Sequence, residues 1–358
     1  MQGAEGGAVG LGAQVGAPPA ESHAPSVGPE NPIAVRAPRP YSALMSSSTS
    51  RFGSGLAFAL LSAASFGLSG VLASGLIENG WSPAAVVTVR VVVAALALAV
   101  PTVLALRSRW HLLRSNVWLI LGYGAIAVAG VQFAYFSAIA HLDVAVALLI
   151  EYTAPVVVVG WLWFRHGHRP NAWVGVGASI AALGLAMVLQ VGTGAEISGV
   201  GLAWALIAMV GVAGYFILSA QEGNGLPPIA LAGCGLAVAA VFLSLACVVG
   251  LIDWERGADV GLYRGHEVAA WLPLLGLGVV SGALAYATGI AAGRRLGARM
   301  ASFVALSEVL AAVVASWLVL AQVPNGWQAL GGVAILAGVV VVKLGERTPS
   351  AEVDQHQV

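Results

Sequence analysis

Three charged residues stand inside apolar stretches of the chain, where charge is costly. Glu151 lies in Leu148-Leu149-Ile150-Glu151-Tyr152-Thr153-Ala154-Pro155-Val156, near the middle of an apolar run from about Leu142 to about Phe164. A run of that length can cross a hydrocarbon core of ~30 Å. A carboxylate at that depth costs on the order of several kcal/mol unless it is paired, protonated or wet. Pro155, four residues on, removes one helical hydrogen bond and makes the same spot a candidate hinge. Glu308 occupies a similar place in a later run, and Arg90 lies about seven residues into the run 83–105. Two carboxylates held close cannot easily both ionise, which suits proton coupling or the holding of an ammonium group. An arginine at that depth can neutralise Glu151 or grip a substrate carboxylate with its planar fork. The competing roles are a structural carboxyl bonded to a neighbouring helix and an arginine that snorkels to the headgroups.

Gln132, Tyr135 and Tyr286 are candidate substrate contacts beside Glu151, Glu308 and Arg90, and Tyr215, Ser219 and Thr288 could line the same cavity. Tyrosines near helix ends also serve as interfacial anchors. Gly67-Leu68-Ser69-Gly70 has the form of an intramembrane serine protease motif, yet the histidines lie in loops, interfaces and tails, away from any base position. The motif reads as small residues at a helix contact. No phosphate-binding loop, metal-ligand spacing or dinucleotide fingerprint is present, so no cofactor or metal is expected.

Such residues need a scaffold that spans a membrane. Apolar residues make up 59% of the 358 and charged residues 9%, against the ~25% charged of a soluble domain. The net charge is zero, so no basic face points to nucleic acid. Cys234 and Cys247 fall in one expected helix, ~20 Å apart along its axis, and cannot bridge. Residues 1–50, rich in Gly, Ala, Pro and Ser, read as a disordered tail, with Met45 an alternative start. From Gly53 the hydropathy gives ten spans, near 53–76, 83–105, 117–138, 142–164, 172–191, 199–219, 229–251, 269–292, 299–321 and 326–345, followed by a C-terminal tail, 346–358. With the N-terminus inside, the basic residues concentrate in the inner loops, and Arg256 and Arg264 alone fall outside. Both termini are therefore expected in the cytoplasm.

The second half copies the first. Gly55-Leu56-Ala57-Phe58-Ala59-Leu60 recurs as Gly201-Leu202-Ala203-Trp204-Ala205-Leu206, and Asn79-Gly80-Trp81-Ser82-Pro83 as Asn224-Gly225-Leu226-Pro227-Pro228. An offset of 154 then pairs Trp163 with Trp317, Trp173 with Trp327, Gly177 with Gly331 and Gly184 with Gly338. It also sets Glu308 one helical turn from the position equivalent to Glu151. An odd number of spans per copy turns the copies opposite ways. The fold expected is an all-α membrane protein of ten transmembrane helices in two inverted five-helix repeats, 53–191 and 199–345. Inverted repeats place a site at the bilayer midplane between them.

The runs Val144–Pro155, Tyr215–Gln221 and Ser307–Val313, with Thr88-Val89-Arg90, resemble the EamA-type branch of the drug/metabolite transporter superfamily. Within it they are similar to the bacterial threonine/homoserine exporters. The resemblance implies a secondary active exporter of small amino acids or related metabolites; the chain is expected in the bacterial inner membrane, as a monomer or homodimer, and the two carboxylates point to protons as the coupling partner. Glu151 and Glu308 are then the proton-coupling residues. Cationic drug efflux is the alternative within transporters, and a hydrolase built on Ser69 the alternative outside them. Where the family commonly carries Gly-Glu after the ninth span, this chain has Ala321-Gln322. Val309 replaces the proline after the second glutamate, which predicts a stiffer ninth span than fourth.

Overall fold

The computed structural model describes residues 41–139, 141–142, 144–167, 170–190 and 198–346. The chain divides into two units, Met1–Leu44 and Met45–Val358, and the architecture below is that of the second. Helix α1 runs over Tyr41–Ile77, so the tail expected over 1–50 overlaps a helix at 41–50; residues 1–40 and the C-terminal 347–358 lie outside the described residues.

Helix α2 is Pro83–Leu106, α3 the short His111–Ser115, and α4 Val117–Gly122, which widens into a π-helical stretch, Tyr123–Gly130, before α5, Val131–Ile139. Helices α6 (Val144–Glu151) and α7 (Ala154–His166) together make the fourth expected span, and α8 is Ala172–Leu189. The second half repeats this with α9 (Gly199–Ser219), α10 (Pro228–Val248), α11 (Trp271–Gly278), a π-helical stretch Val279–Leu284, α12 (Ala285–Ala305), α13 (Ser307–Leu320) and α14 (Gly326–Glu346). Nine stretches among the described residues are long and apolar enough to cross a membrane, and α13 is a shorter apolar helix. The count differs from ten because Trp271–Ala305 runs on through Gly297, where the backbone leaves the helix (φ 78°, ψ 162°). The remainder of the ninth expected span is interrupted at Leu306.

The repeated Asn-Gly motifs form matching turns. Gly80 (φ 90°) and Gly225 (φ 68°) both take the left-handed backbone that glycine adopts without strain. Pro83 and Pro228 then open α2 and α10, where a missing N–H costs nothing. The two π-helical stretches occupy equivalent third positions of the halves, and each faces the second helix of the other half. A methyl on Gly124 would lie 2.5 Å from the Gly235 carbonyl oxygen of α10, and one on Gly282 would lie 2.6 Å from Ala94 Cβ of α2.

The fifth and tenth spans, α8 and α14, meet backbone to backbone. A methyl on Gly177 would lie 2.7 Å from the Gly338 oxygen, and one on Gly184 would lie 2.6 Å from the Gly331 oxygen. The offset of 154 makes Gly331 the copy of Gly177 and Gly338 the copy of Gly184. Residue i of one half thus meets the copy of j in the other while j meets the copy of i, the signature of a twofold relation. In lipid, where apolar burial gives no drive, close approach of small residues holds helices together. Gly338→Val should therefore lower stability by about 1–3 kcal/mol, read as a fall in melting temperature in detergent. An unchanged melting temperature would show that the seam tolerates separation.

The loop 251–270 holds a feature absent from an all-helical expectation. Strands β1 (Val260–Tyr263) and β2 (His266–Ala269) pair antiparallel around a two-residue turn, Arg264-Gly265, with both residues at positive φ. Tyr263 Oη donates to the Leu72 oxygen of α1 (2.5 Å), Trp81 Nε1 donates to the Ala258 oxygen (2.9 Å), and Ser82 Oγ donates to the Asp253 oxygen (2.9 Å). Burial, and secondarily the Glu78 carboxylate, pushes the Tyr263 phenol up to about 12, so this donor keeps its proton across the neutral range.

Candidate functional site

The polar residues on the spans converge between the halves. A cavity of about 700 Å³ is lined from α1, α2, α5, α6, α7, α9, α12 and α13. At one end of the bundle it reaches Ile77, Glu78 and Pro83. At the opposite end Arg51 pairs with Glu222 and donates to the Arg294 carbonyl oxygen, while Arg294 donates to the Leu226 oxygen.

Arg90, Gln132, Tyr135, Glu151, Tyr286 and Glu308 all line this one cavity, as does Pro155. Arg90 is 7% exposed, so its guanidinium is drawn into the protein and does not snorkel. Its Nη2 donates to the Ser281 oxygen (2.7 Å), in the π-helical stretch Val279–Leu284. A widened turn departs from the i→i−4 pattern, and here one of its carbonyls serves a side chain from the other half. The guanidinium also lies over the Phe66 ring, 5.6 Å from its centre, and Phe66 meets Tyr286 edge-on at 5.0 Å. Arg90 Nε is buried without a protein partner. Arg90 lies within electrostatic reach of Glu308 and, among the described residues, makes no ion pair with either carboxylate, where the sequence had offered Glu151 as its partner.

Glu151 and Glu308, one from each half, lie within electrostatic reach of one another. Both flank helix breaks. Glu151 is the last residue of α6, Tyr152 and Thr153 form a turn, and α7 opens at Ala154 with Pro155 in its first turn. The Thr153 hydroxyl donates to the Ile150 oxygen (2.6 Å), which also accepts from the Thr153 backbone N–H (3.0 Å). In the second half the break falls at Leu306, and Glu308 sits in the first turn of α13. The ninth span is therefore interrupted too, although Val309 replaces the proline; its junction is the single residue Leu306 with helical dihedrals (φ −58°, ψ −21°), against the two residues Tyr152-Thr153 in the fourth. Glu151 thus closes one helix, and Glu308 lies in the first turn of another.

Sequence reasoning missed Phe66, Ser62 and Tyr152, all of which line the cavity. Tyr152 stands beside Glu308, and its place next to Glu151 was a usable signal. Phe66 carried none, since one phenylalanine in an apolar span looks like any other. Ser219 and Thr288, offered as cavity residues, are buried instead; the Thr288 hydroxyl donates to the Leu284 oxygen (2.7 Å). Gly67, Ser69 and Gly70 line the cavity, and a methyl on Gly67 would lie 2.8 Å from the Glu308 carbonyl oxygen, a helix contact in keeping with small residues.

A guanidinium and two carboxylates around one cavity between inverted halves is an arrangement for holding a small charged molecule. A profile of the EamA-like transporter family matches residues 53–190 and 199–344, one match for each half. The chain belongs to that family. The two EamA-like segments coincide with the halves related through the α8–α14 seam, so the cavity lies between two copies of the family's unit. A solved crystal structure, titled only as that of a protein, is similar at 20% identity with a TM-score of 0.66, over 84% of this chain and 99% of the other; the likeness shows a shared fold. EamA-like membership makes the chain a multi-pass membrane transporter.

Proposed function

We propose that this EamA-like transporter is a secondary active exporter of small amino acids or related metabolites, working by alternating access as an antiporter against protons. The observation that carries the reading is the meeting of Arg90, Glu151 and Glu308 in one cavity between the inverted halves. A zwitterion presents a carboxylate and an ammonium together, and this set of side chains complements both. The similarity of Val144–Pro155 and Ser307–Val313 to the threonine/homoserine exporters supports the same substrate class. In this reading ten spans cross the bacterial inner membrane with both termini in the cytoplasm, Glu78 marks the outer mouth, and the Arg51–Glu222 pair closes the inner one.

Transport in proteoliposomes under an imposed pH gradient tests the reading. Threonine should move and should drive proton flux in the opposite direction. Movement of a quaternary ammonium dye without threonine would favour cationic drug efflux. That second reading has the cavity's size and its aromatic lining, Phe66, Tyr135, Tyr152, Tyr215 and Tyr286, in its favour.

Orientation has its own test. A reporter fused after Arg347 should read as cytoplasmic, and one inserted within 253–266 as external, because the short basic loops lie on the side of the termini. A periplasmic reading at the C-terminus would require an odd number of crossings and overturn ten spans.

A further inference from the structure

Between the cavity and the Arg294 end of the bundle lies a row of hydroxyls that begins in the cavity lining with Ser62 and Tyr215 and continues beyond it with Tyr123 and Ser219. Tyr215 and Ser62 stand at the edge of the cavity and crowd one spot on α12. A methyl on Gly289 would lie 2.1 Å from Tyr215 Oη and 2.9 Å from Ser62 Oγ. One turn along the same helix, a methyl on Gly293 would lie 3.2 Å from Ser219 Cβ. The Tyr123 ring packs 5.8 Å from that of Tyr215, which in turn packs 5.8 Å from that of Tyr286. Tyr123 and Ser219 are fully buried, and their oxygens lie close together and close to Tyr215. Neither oxygen meets hydrogen-bond geometry with a protein group; nor do Asn224 Nδ2, Arg294 Nε and Arg294 Nη2 further along.

The surroundings are apolar: Val128, Leu226, Ala283 and Ile290 belong to the same packed cluster as these tyrosines. The Ser62 hydroxyl donates to the Ala285 oxygen (2.8 Å), but at Tyr123 and Ser219 phenylalanine and alanine would fill the same volume without burying hydroxyls, which cost free energy when left without partners. A row that keeps its hydroxyls in such a core retains them for what an O–H does, which is to accept a proton on one side and pass one on from the other.

We propose that Ser62, Tyr215, Tyr123 and Ser219 form a proton path between the cavity and the Arg294 end of the bundle. At each station one O–H bond breaks as another forms, so a proton enters at one end, another leaves at the other, and no residue is changed. Tyr286 and Glu308 face the path at the cavity end, with Arg90 beside Tyr286, and Arg294 with Glu222 stands at the far end. Helix α10 brings Cys234 to the same core.

The path presupposes the proton-coupled reading above, and the experiment separates their failures. Full-length protein in liposomes carrying an internal pH dye is given a mixture of the twenty standard L-amino acids as the probe. Substrate-driven proton flux and amino-acid exchange are measured for the wild type, Tyr123→Phe and Ser219→Ala, with melting temperatures in detergent confirming that each variant folds. Both variants should keep exchange within about twofold and lose proton flux by on the order of tenfold or more. Ser219→Ala, the smaller change, carries the test if Tyr123→Phe fails to fold. Absence of substrate-driven proton flux in the wild type would sink the proton-coupled reading and the path with it. Wild-type coupling that persists undiminished in both variants overturns the path alone.

Discussion

Glu151→Gln should insert and fold as the wild type does and lose proton-coupled export by on the order of a hundredfold. The substitution keeps shape and hydrogen-bonding capacity and removes the ability to exchange a proton. Glu151 is singled out over Glu308 by its position at the end of α6, beside the turn at Tyr152-Thr153 and Pro155, where the chain can flex between two helices. Glu308 stands at the start of α13, beside Tyr152 and within electrostatic reach of Arg90. Glu308→Gln should accordingly move the pH profile of transport more than its maximal rate, since it removes a charge that acts on Glu151 through space. Transport against pH, measured for both variants in liposomes at a fixed internal substrate concentration, decides the matter. Wild-type rates with an unchanged profile in Glu151→Gln would leave that residue a structural carboxyl and place coupling elsewhere.

The second large effect is expected at Arg90. Arg90→Ala removes the donor to the Ser281 oxygen, the cation over Phe66 and the positive charge facing Glu308 at one stroke. A hydrogen bond from a charged group is worth about 1.5–3 kcal/mol, which corresponds to a loss of roughly ten- to a hundredfold in apparent substrate affinity. Arg90→Lys should recover part of that loss, because a point charge can face Glu308 without reproducing the planar fork. Both variants are compared by substrate titration in liposomes alongside melting temperature. An Arg90→Ala protein that melts lower and transports with unchanged affinity would make the arginine a structural tie between α2 and the stretch Val279–Leu284.

Much of the fold was legible because its signals are local in sequence. Apolar runs of the right length give spans wherever they lie, and the glycines aligned by the offset of 154 are the same ones that touch across the α8–α14 seam. The convergence of Arg90, Glu151 and Glu308 was legible for a similar reason: charge in an apolar run must face a shared interior. What the sequence hid depends on contacts between distant parts. Pro155 announced a break beside Glu151, but Leu306 gives no such warning of the break in the other half. Arg90 could not be assigned to Glu308 without the widened turn that offers it the Ser281 oxygen. The hairpin Val260–Ala269 was readable in part, since Arg264-Gly265 fits a two-residue turn, yet it was obscured in a chain where every other signal was helical.

The glycine seam between α8 and α14 has a consequence for how motion in this protein can be observed. Where glycines bring the two backbones into contact, with Ala181, Met187 and Val342 packed against the same spots, sliding by even a fraction of a turn would drive carbonyl oxygens into Cα atoms. On the alternating-access reading proposed above, the other helices turn about this pair, as a door turns about its post. Labels placed on the outward-facing flanks of α8 and α14 share a fixed frame. Any change in distance from that frame to α1, α9 or the hairpin reports the working stroke itself, free of the tumbling of the whole molecule.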